Sequence, residues 1–100
     1  MASKDAMRKD FAGVIADIKD ARTALDFLKG ILTPQELDRI ALRWKLVKML
    51  KQGVKQRAIS AQLGVSLCKI TRGSRELKQG PKGFRQVVDR AMAKAKKSRR

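Results

Sequence analysis

Residues 56–78, QRAISAQLGVSLCKITRGSRELK, constrain the fold more than any other stretch of this chain. Ile59 and Leu63 lie one helical turn apart, so Gln56 to Leu63 reads as a short amphipathic helix with both facing inward. Gly64 interrupts it where a tight turn takes positive φ. Ser66 follows as a side-chain acceptor able to cap a new helix. That helix turns Ile70 inward and presents Leu67, Cys68, Lys69, Thr71 and Arg72 outward. Ser60 falls where the two helices cross closely, and a larger side chain there would push them apart. Two short helices joined by a glycine turn, the second outwardly basic, form the pattern of a DNA-reading helix-turn-helix.

The rest of the chain is also patterned for helices. Phe11, Val14, Ile15 and Ile18 recur at helical spacing and predict a first helix from about Lys4 to Asp20. Ala24, Leu25, Leu28, Ile31 and Leu32 give a second short stripe, with Gly30 at its fraying end. Thr33-Pro34-Gln35-Glu36 is a helix start: Thr33 as N-cap, Pro34 in the first turn, and Glu36 placed to close a capping box. The long helix that follows runs to about Gln52 and stops at Gly53. It carries two apolar stripes, Leu37-Ile40-Ala41-Trp44-Val47 and Leu42-Leu46-Met49. A helix apolar on two sides needs partners on two sides. A 100-residue monomer buries only about 60–65% of its unfolded surface, so a second copy of the chain is the natural second partner. Gly80-Pro81 breaks the chain again, and Phe84, Val87, Val88 and Ala91 mark a last helix from about Lys82 to Ala95. Residues 1–95 thus read as one all-α domain, with the helix-turn-helix at about 56–78, and residues 96–100 as a basic, disordered tail.

Charge narrows the partners. Residues 1–35 hold six Lys+Arg against five Asp+Glu, whereas residues 36–100 hold nineteen against four. Nearly all of the net +16 therefore sits in the last two-thirds of the chain. Such a charge repels itself in the folded state, which favours a polyanionic partner, nucleic acid, over a membrane surface or solvation alone. The single Cys68 makes no internal disulfide and fits a reducing, cytoplasmic setting. Residues 1–20 contain four aspartates and no apolar run, so neither a signal peptide nor a membrane span is expected. With no His, no Tyr and scattered carboxylates, neither an enzyme nor a metal site is expected.

The order of motifs from Leu32 to Lys78 resembles the Trp repressor family. Leu32-Thr33-Pro34 before a long helix, Arg43 within it, then Gln56-Arg57, Ile70 to Ser74 (ITRGS), and Leu77-Lys78 carry the resemblance. It is weaker back to Phe11 and into the last helix. The resemblance implies an intertwined all-helical homodimer with two reading heads. It also implies a repressor that binds operator DNA when L-tryptophan is present as corepressor. The same resemblance implies a ligand site. Arg43 and Arg72 match two guanidinium planes that sandwich the indole, and Arg72 also pairs with the ligand carboxylate. Thr33 matches a polar contact, and Gly73 a glycine that lets the ring approach the backbone. Carbonyls of Gly30 and Leu32 from the partner chain receive the ammonium group. Glu76 stands beside the ligand where the family has a small polar residue; an acid there repels the ligand carboxylate unless it pairs with Lys78 or with the ammonium. The loop Gly53 to Gln56 is one residue shorter than in the family and lacks a Ser or Thr to cap the next helix.

Read one by one, these residues have blander roles too. Arg43 and Arg72 are two of 25 cations, Arg72 could hold a phosphate, and Thr33 is accounted for as an N-cap. For DNA, Leu67, Cys68, Lys69 and Thr71 are expected near base edges, with Lys69 the candidate for a guanine contact. Arg57, Arg75 and Lys78 are expected on phosphates. Trp44 belongs to an apolar stripe and is expected in the core or a dimer interface. The alternatives are a constitutive or differently liganded helix-turn-helix protein, and a basic RNA-binding protein, against which the lack of stacking aromatics counts.

Overall fold

The computed structural model describes residues 3–98, with side chains through residue 95. Six helices follow in order: α1 Lys4–Asp17, α2 Ala21–Ile31, α3 Pro34–Lys51, α4 Gln56–Leu63, α5 Leu67–Gln79 and α6 Lys82–Ser98. Among the described residues there is no strand, and no helix is long and apolar enough to cross a membrane. The chain divides into two compact units, residues 1–38 and 39–100.

In the first unit, α1 ends at Asp17, three residues before the end expected from its apolar stripe. The cause is Asp20. Its carboxylate accepts a hydrogen bond from the Thr23 N–H at 3.0 Å and so begins α2, leaving Ile18 extended. Phe11 and Phe27 pack with ring centroids 6.0 Å apart. Neither α1 nor α2 has a buried residue, and Phe11, Val14, Ile15, Leu25 and Ile31 are all exposed. The start of α3 is a full capping box. Thr33 Oγ1 accepts from the Glu36 N–H at 3.1 Å, and the Thr33 N–H donates to Glu36 Oε1 at 2.8 Å.

The second unit holds the core: Leu46, Val47 and Met49 of α3, Ile59 of α4, Val65 of the turn, Ile70 of α5 and Val88 of α6. Trp44, Leu42, Leu50 and Phe84 pack against it, half-buried. The α3 helix closes with Gly53 at φ +85°, the Val54 N–H on the Met49 carbonyl and the Gly53 N–H on the Leu50 carbonyl. This pair of bonds is a Schellman closure, and Val54 adds its apolar contact to the core. Of the two apolar stripes of α3, Leu46, Val47 and Met49 are buried, whereas Ile40 stays 46% exposed.

The α4–α5 pair follows the sequence reading closely. Gly64 takes φ +65° and ψ 30°, and Ile59 and Ile70 are wholly buried. Ser66 accepts from the Lys69 N–H at 3.4 Å, while Lys55 gives α4 no side-chain cap, as its missing Ser or Thr implies. Ser60 has a second reason to be small and polar: its hydroxyl donates to the Val65 carbonyl at 2.7 Å and ties the turn to α4. The α5 helix approaches α3 at Gly73. A Cβ there would lie 2.8 Å from Leu46 Cδ2 and 3.2 Å from Leu50 Cδ1. Lys51 of α3 pairs with Asp89 of α6 at 2.9 Å, a largely solvated contact worth little by itself.

The last helix runs to Ser98 instead of ending near Ala95, so the tail expected to be disordered from residue 96 begins helical. Ala91, Ala93 and Ala95 are strong helix formers, and lysines are favourable at a helix C-terminus. Arg99 and Arg100, the end of that expected tail, lie outside the described residues.

Two tests follow from this packing. The Thr23 backbone N–H beside Asp20 holds its carboxyl below the ordinary value of 3.8. A depressed folded-state pKa contributes stability above the unfolded value and loses it as pH falls through the folded value. Asp20→Asn, which keeps an acceptor and removes the charge, should therefore melt below the parent at pH 7, with the difference closing in acid. Gly73→Val should cost about 1–3 kcal/mol by overpacking against Leu46. In urea titrations, combining it with Leu46→Ala should cost clearly less than the two single losses summed.

Candidate functional site

Helical spacing along α5 sorts its residues onto three faces. Ile70, Gly73, Ser74 and Leu77 point toward the core, fully or half buried. Leu67, Thr71, Arg75 and Lys78 are exposed, with Leu67 51% exposed. Lys69, Arg72 and Glu76 run along a third edge at intervals of three and four residues. That third edge borders a cleft of 450 Å³ within the second unit, a size suited to a small ligand.

Because Gly73 has no side chain, α5 lies close to α3, and the cleft forms along their shared margin. Arg39 and Arg43, one turn apart, contribute from α3, and Arg72 and Lys69 from α5. Leu42, Leu46, Val47 and Val65 give it an apolar lining, with Trp44 and Phe84 also bordering it. A cavity with an apolar lining and cations from both helices can take a flat apolar group that carries an anion. Among the described residues, no ion pair within 4 Å joins Glu76 to any of these cations.

The structure thus brings together Arg43, Arg72, Gly73 and Glu76 of the expected ligand set. Gly73 also has a packing reason, since the space on its Cβ side is filled by Leu46 and Leu50. Gly30, Leu32 and Thr33 belong to the first unit. Gly30 lies in the last turn of α2, Leu32 caps that helix with its N–H on the Leu28 carbonyl, and Thr33 opens α3. The Thr33 hydroxyl accepts in its capping box and so keeps its own proton for donation. Arg39, Trp44, Lys69 and Phe84 border the cleft without having been assigned to it from sequence. The i, i+4 spacing of Arg39 and Arg43, and of Lys69 with Gly73, was the available signal.

On the outer face, Arg57, Leu67, Cys68, Lys69, Thr71, Arg75 and Lys78 are all exposed. The Thr71 hydroxyl donates to the Leu67 carbonyl at 2.9 Å, so its methyl and lone pairs remain for an incoming partner. Lys69 stands at the border of both surfaces, being exposed and on the rim of the cleft. Among the described residues no group of three or more His, Cys, Asp or Glu side chains is placed to hold a metal.

Comparisons with known proteins identify relatives of this chain. The Trp operon repressor homolog of Vibrio cholerae is 47% identical over 52 residues, covering 51% of this chain and 50% of the relative. That of Actinobacillus succinogenes is 44% identical over 54 residues, covering 53% and 54%. The chain thus spans about half the length of these two curated relatives. That of Chlamydia caviae is 35% identical over 80 residues, covering 79% of each chain. A family model described as Trp repressor protein matches residues 7–92, a family of regulatory proteins and not of enzymes. By that match, and by the extent of the Chlamydia caviae likeness, the chain belongs to the Trp repressor family.

Proposed function

We propose that the protein is a sequence-specific DNA-binding transcriptional repressor that acts as a homodimer, with L-tryptophan as corepressor. The observation that carries this reading is the cleft with Arg43 on one helix and Arg72 on another, over an apolar lining. Two guanidinium planes can stack on an indole, and Arg72 can pair with the ligand carboxylate. Thr33 is the further polar contact, and the carbonyls of Gly30 and Leu32 receive the ammonium group across the dimer.

Regulation follows from where Arg72 sits. It shares α5 with the exposed Leu67, Cys68, Lys69 and Thr71, which read base edges in this account. An occupant of the cleft therefore touches the same rigid helix that meets DNA. Ligand and DNA then strengthen each other's binding by linkage. Arg57, Arg75 and Lys78 hold phosphates, and the net +16 supplies the sequence-independent attraction.

The dimer is supported by the first unit, where α1 and α2 bury no residue and leave Phe11, Val14, Ile15 and Leu25 exposed. Two helices with that much open apolar surface gain by pairing with a second copy. A cytoplasmic, nucleoid-associated protein follows from this role.

Selection from random duplex DNA at saturating L-tryptophan should return a palindromic site, since two-fold symmetry in the protein is mirrored in its half-sites. On that site Lys69→Ala should relax base preference at one position, at about 1–3 kcal/mol. Arg75→Ala should weaken all sequences alike and lower the salt slope by about one. Uniform weakening by both would mean that α5 meets DNA in another orientation. Tight RNA binding with no selected palindrome would replace the repressor reading. Arg72→Ala should abolish the response of DNA binding to L-tryptophan while leaving most non-specific binding; an unchanged response would remove Arg72 from the pocket.

A further inference from the structure

We propose that a second basic face, formed where the end of α3 meets α6, grips the phosphates of duplex flanking the site that α5 reads, an inference that rests on the DNA binding proposed above. The second unit, residues 39–100, holds nineteen Lys+Arg against two Asp+Glu. The reading head and the cleft use only part of that charge. Residues 39–75 contain no acid, and after Gln79 the only Asp or Glu in the sequence is Asp89. Asp89 is taken up by Lys51 of α3 at 2.9 Å, which joins the two helices there. Lys82 and Arg85 precede Asp89 by seven and four residues, so the three share one side of α6. That side therefore borders the end of α3, and Lys82 and Arg85 are exposed along it.

Two short stretches of chain lead from the reading head to this face. Lys51 is followed, across the Gly53 turn, by the exposed Lys55 and Arg57. Lys78, near the end of α5, is followed across Gly80-Pro81 by Lys82. Arg57 and Lys78 hold operator phosphates in the proposed reading, so the face continues that row of cations at both ends. Cations at such density repel one another, and a run of phosphates relieves the repulsion. An anionic bilayer is the poorer match. Val87, exposed and apolar on α6, lies two positions from Arg85 and faces another side, so the basic face offers no apolar group to insert among lipid chains. Contacts of this kind fix no base. They lengthen the footprint and favour an operator embedded in longer DNA over the same operator on a short duplex.

Salt titrations of DNA binding by the full chain test this, on the selected palindrome alone and on the same palindrome extended by roughly ten base pairs, one helical turn, at each end. The parent should bind the longer duplex more tightly, with a salt slope steeper by about 0.9 for each added phosphate contact. Lys82→Gln combined with Arg85→Gln should remove most of that gain while leaving binding to the short duplex intact, which also shows that the variant folds. Lys82→Arg combined with Arg85→Lys keeps the charge and should keep the gain. Equal slopes for the parent on the two lengths would overturn the proposal. So would an equal loss on both lengths in the glutamine variant, or a complex in which the face holds a second, separate duplex. No binding to either duplex by the folded parent would instead remove the DNA-binding reading, and this inference with it.

Discussion

The approach of α5 to α3 at Gly73 is the contact on which the rest depends. With a side chain there, the two helices would be driven apart by Leu46, which is itself 4% exposed and has little room to yield. Without it they close, Ile70 reaches the core, and the margin between them becomes a cleft instead of a splayed gap. In the proposed reading, the same closeness lets an occupant of the cleft bear on the outer surface. Close-packed interiors transmit displacement, so a group wedged beside Arg72 would bear on the same helix that carries Leu67 and Thr71.

Around that contact the chain divides its physical tasks. Residues 39–100 carry the small buried core and most of the positive charge, whereas residues 1–38 are near neutral and expose apolar faces. A highly cationic core unit gains from an anionic partner, and an apolar, uncovered pair of helices gains from a matching copy. Neither tendency alone singles out a repressor. Together with a ligand-sized cleft backing the exposed helix, they fit the family to which the chain belongs.

Much of this was legible in the residues because it rests on local chemistry. Gly64, Ser66 and Gly53 mark a turn, a cap and a stop through backbone rules, and each appears where the spacing placed it. The box at Thr33 and Glu36 formed as its residue types require. What escaped was decided by competition or by tertiary contact. The stripe through Ile18 predicts a longer α1, but Asp20 captures the next helix start. The positive charge of residues 94–98 suggests a loose tail, but alternating alanines carry the helix on to Ser98. The resemblance gave Gly73 only as a glycine that lets a ligand ring approach the backbone; its packing against Leu46 and Leu50, over twenty positions upstream, lies beyond any periodicity. The same distance hid Arg39, Trp44 and Phe84 from the cleft, since only packing joins three helices at one margin.

The central claim is that the cleft and the outer face of α5 are coupled. Fluorescence anisotropy of a labelled palindromic duplex, titrated with protein at fixed salt with and without saturating L-tryptophan, measures that coupling directly. The amino acid should tighten DNA binding by about 5–150-fold, the usual span of an allosteric coupling. Equal affinity for the duplex in both titrations, with L-tryptophan demonstrably bound, would contradict it.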